Sequence, residues 1–314
     1  MWSAASGYAK LPARSAANNT PFVVGSITKT FVAATIMQLS DAGELSLDDR
    51  LSNWLPDYPR ATEMTLRQLL NHTSGVFNYF EHPSYNRKVF STMKTHFWTP
   101  NEILTQFARL HYFAPGTGYH YSNTGFILLG LVIEGVTGKP LDKVLDERFF
   151  TPLAMNDSYF QYQAPGPASS AHGYLRKADG TFTRISDTTN YRPQISAATV
   201  AWAAGGVTAS ARDIARWADA LYGGEGVVSD ASLAQMTDYL AAGQTRGTYG
   251  LGTRTRLYAG ERMFGHTGSL RGFAASMWHY EELDLTVVVL TNRGRIDPNP
   301  TADVLAGIAR SVLP

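Results

Sequence analysis

The 314-residue sequence contains no cysteine. That excludes disulfides, thiol nucleophiles and thiolate metal sites, but leaves the compartment open, since cysteine-free chains occur in oxidising and reducing settings alike. No apolar run reaches the roughly 18 residues of a membrane-spanning helix, so no transmembrane segment is expected. The opening stretch Met1 to Tyr8 lacks the charged and apolar regions of a signal peptide. Charge is scarce too: 17% of residues are Asp, Glu, Lys or Arg and the net charge is +1, which points away from nucleic acid as a partner. The eight histidines show no H-E-x-x-H or related spacing, so neither a metal nor a cofactor is expected, and His72 and His120 read as packed or hydrogen-bonded side chains. No G-x-S-x-G occurs, which removes the α/β-hydrolase nucleophile turn. What the chain does have is apolar mass. At 44% apolar residues it can bury a large core, in one big domain or two ordinary ones.

Read in order, Met1 to Leu11 suggests a short strand and Phe22 to Val24 an extended approach to a helix over Thr30 to Asp41, stopped by Gly43. Leu45 to Leu51 starts another short helix, ended by Pro56 and Pro59. Residues 60–240 look mostly helical. Thr65 caps Leu66 to His72, Thr99 and Pro100 open a helix to Leu110, and Phe126 to Val136 is apolar on every side, as a buried helix should be. Leu141 to Phe150 continues the bundle, and residues 151–200 read as loops with a hairpin around Asp179-Gly180. Ser210 caps Ala211 to Tyr222, and Ser229 or Asp230 caps a helix through Tyr239. From Tyr249 the period becomes that of strands: Leu251 to Leu257, Arg262 to His266, Phe273 to Tyr280, and the β-branched run Leu285 to Leu290, which suits a central strand. A helix from Thr301 to Leu313 carries Val304, Leu305, Ile308 and Val312 on one face. The order implies an α+β fold. An antiparallel sheet is built from both chain ends, 1–59 and 241–314, and flanked by helices; a mainly helical subdomain, 60–240, is inserted between them, with the active site at the junction.

Three short motifs carry chemistry. Ser26-Ile27-Thr28-Lys29 opens the first helix, so Ser26 and Lys29 lie one turn apart on one face, where an amine can take a hydroxyl proton. Alone, such a pair is more often a helix cap followed by a solvated lysine. Tyr121-Ser122-Asn123 precedes the apolar helix; a phenol there can relay protons and an amide can bind a carbonyl. His266-Thr267-Gly268-Ser269 ends one strand and begins the last hairpin, and its glycine permits close backbone approach by a substrate. A second S-x-x-K, Ser91-Thr92-Met93-Lys94, has no apolar helix behind it and reads as a chance match.

In this order the three motifs resemble those of the penicillin-recognising serine hydrolases: serine β-lactamases, D-alanyl-D-alanine peptidases and related esterases. The resemblance extends through Leu69-Leu70-Asn71-His72-Thr73-Ser74-Gly75 and Tyr249-Gly250-Leu251-Gly252. It implies a two-step acyl transfer in which Ser26 attacks, Lys29 is the base and Tyr121 protonates the leaving group, with His266 as the fourth catalytic residue. The backbone N–H groups of Ser26 and Ser269 would form the oxyanion hole, and Asn123, Thr267 and Gly268 would position a small-molecule or peptide substrate. A histidine at 266 is most like the carboxypeptidase branch, where an arginine binds the substrate carboxylate. Arg254 is the nearest match, with Arg256 as the alternative. The family is often exported. A carboxylesterase and a D-amino-acid amidase or aminopeptidase are the rival activities, and a non-catalytic binding protein on the same fold is a remoter one. Relatives usually carry a helix and a strand ahead of the stretch that Met1 to Leu11 matches. Without them the sheet edge and the Val304/Leu305/Ile308 face should expose apolar surface, or be covered by another subunit in a homo-oligomer.

Overall fold

The first helix is enclosed by the rest of the fold although half of its residues are polar. In the computed structural model, which describes residues 1–91, 96–160, 168–185, 195–224, 226–238 and 248–312, helix α1 (Thr28–Asp41) is buried over most of its length. Phe31 stacks on Trp217 at 3.9 Å and meets Phe149 and Phe150 edge-on. Ahead of α1 lie a ribbon of two short strands, β1 (Tyr8–Lys10) and β2 (Arg14–Ser15), and the strand β3 (Phe22–Val23).

The middle of the chain is helical for the reasons its sequence announces. The helix α2 (Leu66–Leu70) starts at a reciprocal Thr65–Gln68 capping box. After α3 (Tyr85–Ser91), helix α4 (Pro100–Phe107) opens on a Thr99–Glu102 box with proline in its first turn. The apolar helix α5 (Asn123–Thr137) ends at Gly138 in the left-handed conformation, φ 66°. Helix α6 (Leu141–Leu145) continues as a wider π turn over Asp146–Phe150. The strand β4 (Tyr159–Phe160) and the hairpin β5 (Tyr174–Arg176) and β6 (Phe182–Arg184) follow, the hairpin turning at Asp179-Gly180 as expected. Next come α7 (Ile195–Gly205), broken at Trp202, the strand β7 (Val207–Ala209), α8 (Ala211–Tyr222) capped by Ser210, and α9 (Asp230–Thr237) capped by Ser229. Strands β3, β7 and β4 form a small sheet that holds the chain just before α1.

The main sheet is antiparallel, in the order β12-β11-β10-β9-β8, with β8 (Thr248–Tyr249), β9 (Arg254–Tyr258), β10 (Glu261–Leu270), β11 (Phe273–Tyr280) and β12 (Leu285–Thr291). Alternation sends Phe264, Ala275 and Met277 to the core shared with α1 and α8, and Met263, Trp278 and Tyr280 to the closing helix α10 (Asn299–Val312).

Several expectations need correcting. All five strands of the main sheet come from residues 248–291; Tyr8–Lys10 pairs with Arg14–Ser15 instead, so the described sheet is not built from both chain ends. The run Leu285–Thr291 is an edge strand, not a central one, because β-branched residues report burial between packed faces rather than pairing position. Leu45 to Leu51 forms turns: Asp49 Oδ2 accepts from Ser46 N and Ser46 Oγ from Asp48 N, local bonds that compete with a helix. The His266 motif does not end its strand but lies within the ten residues of β10. Tyr239 and the stretch Thr92 to Lys94 of the second S-x-x-K lie outside the described residues. On α10, Val304 and Ile308 are exposed, at 62% and 57%, as anticipated, whereas Leu305 packs against the sheet. No single helix among the described residues is long and apolar enough to cross a membrane.

The capping box that starts α2 also sets up the turn that follows it at His72. Thr65→Ala should lower unfolding free energy by about 1 kcal/mol in denaturant titration. An unchanged midpoint would show that the box contributes nothing.

Candidate active site

Ser26 sits in a 3₁₀ turn, Gly25–Ile27, that runs directly into α1. The turn is fixed from three sides. Val24 N donates to Val207 O, Thr28 Oγ1 accepts from Val207 N at 3.0 Å, and Trp217 Nε1 donates to Thr30 Oγ1 at 2.8 Å. Lys29, one turn on, is fully buried. Its Nζ lies 3.1 Å from Ser26 Oγ, 2.8 Å from Asn123 Oδ1 and 2.7 Å from Ala204 O. The last of these is a carbonyl at the end of α7, where helix carbonyls lack intrahelical donors. Burial holds the Lys29 amine well below its ordinary range, and the Arg254 guanidinium lowers it further. A neutral amine has two N–H donors and one lone pair. The donors fit Asn123 and Ala204, which turns the lone pair to the Ser26 hydroxyl.

Tyr121 is half-buried, with its hydroxyl close to Ser26 and Arg254. Burial pushes the phenol up to about 12, against the opposing pull of Arg254 and of the Ser26 bond, so it stands as a proton donor at neutral pH. His72 holds the loop that carries it. Its carbonyl accepts from His120 N, its Nδ1 accepts from Ser122 N at 3.2 Å, and its ring lies 4.3 Å from that of Tyr121. Asn123 begins α5, and both its backbone N–H and its Nδ2 donate to Asn78 Oδ1. With its Oδ1 on Lys29, this amide orients the base.

The third motif lies where β10 loses one neighbour. Pairing with β9 stops at Gly265 opposite Arg254, so on that side His266 to Leu270 have no strand partner among the described residues, although β11 covers the other side as far as Leu270. That leaves an edge open to an extended chain. Two glycines bring this edge onto the serine turn. A Cβ on Gly268 would lie 1.8 Å from Val24 O and 3.3 Å from Ser26 N, and one on Gly25 (φ 54°) would lie 2.8 Å from Ser269 N. The N–H groups of Ser26 and Ser269 are thereby brought close together, as an oxyanion hole requires. His266 is buried and its ring faces Tyr249. Nδ1–H donates to Thr267 O, which can only accept, so Nε2 accepts from the Tyr249 hydroxyl at 3.1 Å. Burial, then Arg254 and Lys29, hold it below its usual range. Both ring nitrogens are thus engaged away from Ser26.

Of the two candidate arginines, Arg254 belongs to the site, 5.4 Å from the Tyr121 ring and 5.5 Å from that of Tyr249. Arg256 is instead paired with Asp303 of α10. Asn78, the Ala204 carbonyl and Tyr249 were not legible as site groups. Asn78 lies in a turn with no periodic signal, a backbone carbonyl has no sequence signature, and Tyr249 was visible only as part of a family-like run.

The chain matches the Beta-lactamase family over residues 1–309. It belongs to that family. It is 27% identical over 300 residues to penicillin-binding protein 4* of Bacillus subtilis (strain 168), covering 91% of this chain and 64% of that protein. It is 28% identical over 294 residues to a D-aminopeptidase of Cereibacter sphaeroides (strain ATCC 17029 / ATH 2.4.9), covering 91% and 53%. A solved D-stereospecific amidohydrolase from Streptomyces sp. superposes with a TM-score of 0.80 at 30% identity, covering 90% of this chain and 85% of that one. The chain therefore spans between about half and two thirds of these two curated relatives.

Within this Beta-lactamase-family site the base form of Lys29 exists above its depressed pKa. Acylation of Ser26 by a fluorescent penicillin should therefore be at its plateau at mildly alkaline pH and fall as pH drops through that value. Arg254→Gln removes a positive neighbour and should move the acid limb upward. A limb that stays put, or moves down, would contradict the coupling.

Proposed function

We propose that this chain is a serine hydrolase of the D-alanyl-D-alanine carboxypeptidase type, working through an acyl-serine on Ser26. Lys29 takes the Ser26 proton as Oγ attacks the scissile carbonyl. The developing oxyanion is received by the backbone N–H groups of Ser26 and Ser269, a contribution of about 3 kcal/mol where such donors have been removed singly. Tyr121, a neutral phenol, gives its proton to the departing amine as the carbon–nitrogen bond breaks. Water then attacks the ester, its proton passing to the Lys29–Tyr121 pair, and the carboxylic acid leaves as Ser26 regains its hydrogen. Asn123 orients Lys29; His266, through Tyr249, orders the Arg254 side; and Thr267 with Gly268 forms the edge along which a peptide lies.

One observation carries the substrate class. The Arg254 guanidinium borders Tyr121, its Nε is buried without a partner, and no carboxylate contributes to the titration of Lys29, His72, Tyr121 or His266 among the described residues. Such a cationic pocket suits a leaving group that ends in a carboxylate, which a guanidinium can grip by two bonds. It disfavours the free ammonium an aminopeptidase substrate would bring.

Ser26→Ala should abolish penicillin labelling and all turnover. D-alanine release from an acyl-D-alanyl-D-alanine peptide should fall about tenfold or more in kcat/KM in Arg254→Gln, the usual scale for a lost charge-assisted bond, while a p-nitrophenyl ester without that carboxylate is less affected. Turnover of D-amino-acid amides or esters with no D-alanine release would favour the amidase or esterase reading instead.

A further inference from the structure

A cavity of about 360 Å³ opens at the far end of the same strand edge, lined by Ser269 and Leu270 on β10, Arg271 in the turn after it, Asn86 on α3, and Gly294 and Arg295 beyond β12. The acyl-serine mechanism gives it no role. Its position along β10 suggests one. Arg254 pairs across from Gly265, ahead of the reactive groups, whereas Arg271 lies two residues past Ser269, in the turn that joins β10 to β11. A substrate lying along the edge with its scissile carbonyl at Ser26 and Ser269 sends its leaving group toward Arg254. Its acyl arm then points toward Arg271.

The cavity is built rather than incidental. A Cβ on Gly294 would lie 2.7 Å from Gly272 N, and one on Gly272 would lie 2.9 Å from Gly173 C, so three backbone segments meet with no room for side chains. This contact brings the β10–β11 turn against the chain leaving β12, and so places Arg271 and Arg295 on one cavity. Arg295 holds a left-handed backbone, φ 63°, which a residue with a Cβ adopts only when its surroundings impose it. Burial first, and then the Arg295 guanidinium, draw Arg271 below its ordinary range, with Tyr85 pulling the other way.

We propose that this cavity is an acyl-side subsite for an anionic group, so that the preferred acyl donor carries a carboxylate on the arm beyond its scissile carbonyl. Arg271 and Arg295 grip that carboxylate, and the Asn86 amide lies within the same lining. The inference rests on the acyl-serine reading above but not on Arg254, which serves the leaving side.

The test uses p-nitrophenyl esters in matched pairs whose acyl arms end in a carboxylate or in the corresponding carboxamide. Neither member carries a leaving-side carboxylate, so Arg254 is not probed. The wild type should prefer the carboxylate arm by about tenfold in kcat/KM, the usual scale for a charge-assisted bidentate bond. The ratio should fall toward one in Arg271→Gln/Arg295→Gln, with Arg295→Gln alone intermediate. Because Arg295 is exposed, the single variant keeps the test valid if the double variant folds poorly. Turnover of both esters without preference, or a preference that survives in the variants, overturns the subsite while leaving the hydrolase reading intact. Turnover of neither ester, with no penicillin labelling of Ser26, overturns both together.

Discussion

An amine sealed from water must either lose its charge or find a counter-ion, and among the described residues no carboxylate pairs with Lys29. Its neighbours are a hydroxyl, an amide oxygen and a backbone carbonyl, with a guanidinium nearby. Much of the surrounding architecture serves this one constraint. Helix α5 delivers Asn123, the end of α7 delivers the Ala204 carbonyl, and Asn78 holds the Asn123 amide so that its oxygen, not its nitrogen, faces the lysine. The depression of the Lys29 amine depends on burial and would be lost if water entered.

The second constraint is backbone contact. The serine turn and strand β10 approach so closely that only glycine fits at 25 and 268, and this contact brings the two N–H groups together. Because β9 stops pairing at Gly265, the same strand leaves an open edge next to the reactive groups. In the function proposed above, substrate alignment and oxyanion binding both draw on one short segment of β10. Arg254 lies at one end of that segment and the Arg271/Arg295 cavity at the other, so charge at both ends can select which acyl donors fit.

Much of this was legible before any coordinates. Ser26, Lys29 and Tyr121 meet as their spacing and order implied, and the caps at Thr65, Thr99, Ser210 and Ser229 form where the residues place them. Local rules worked where local physics decides. They failed where tertiary pairing decides: Leu285–Thr291 has the composition of a central strand but lies at the sheet edge, and Tyr8–Lys10 joins a separate ribbon. The bonds of Asn123 to Lys29 and Asn78 were not legible, because sequence shows an amide without showing which neighbours it meets. Choosing Arg254 over Arg256 required seeing Asp303 claim the latter.

The central claim is that Lys29 is an uncharged amine before substrate arrives. Nitrogen-15 NMR of the lysine side chains, with the Lys29 resonance assigned by its loss in Lys29→Arg, reads that charge directly. The account predicts that the Lys29 Nζ shift is already that of a neutral amine at mildly alkaline pH, with its titration well below that of the surface lysines. A resonance that remains that of an ammonium until the surface lysines themselves titrate would contradict it.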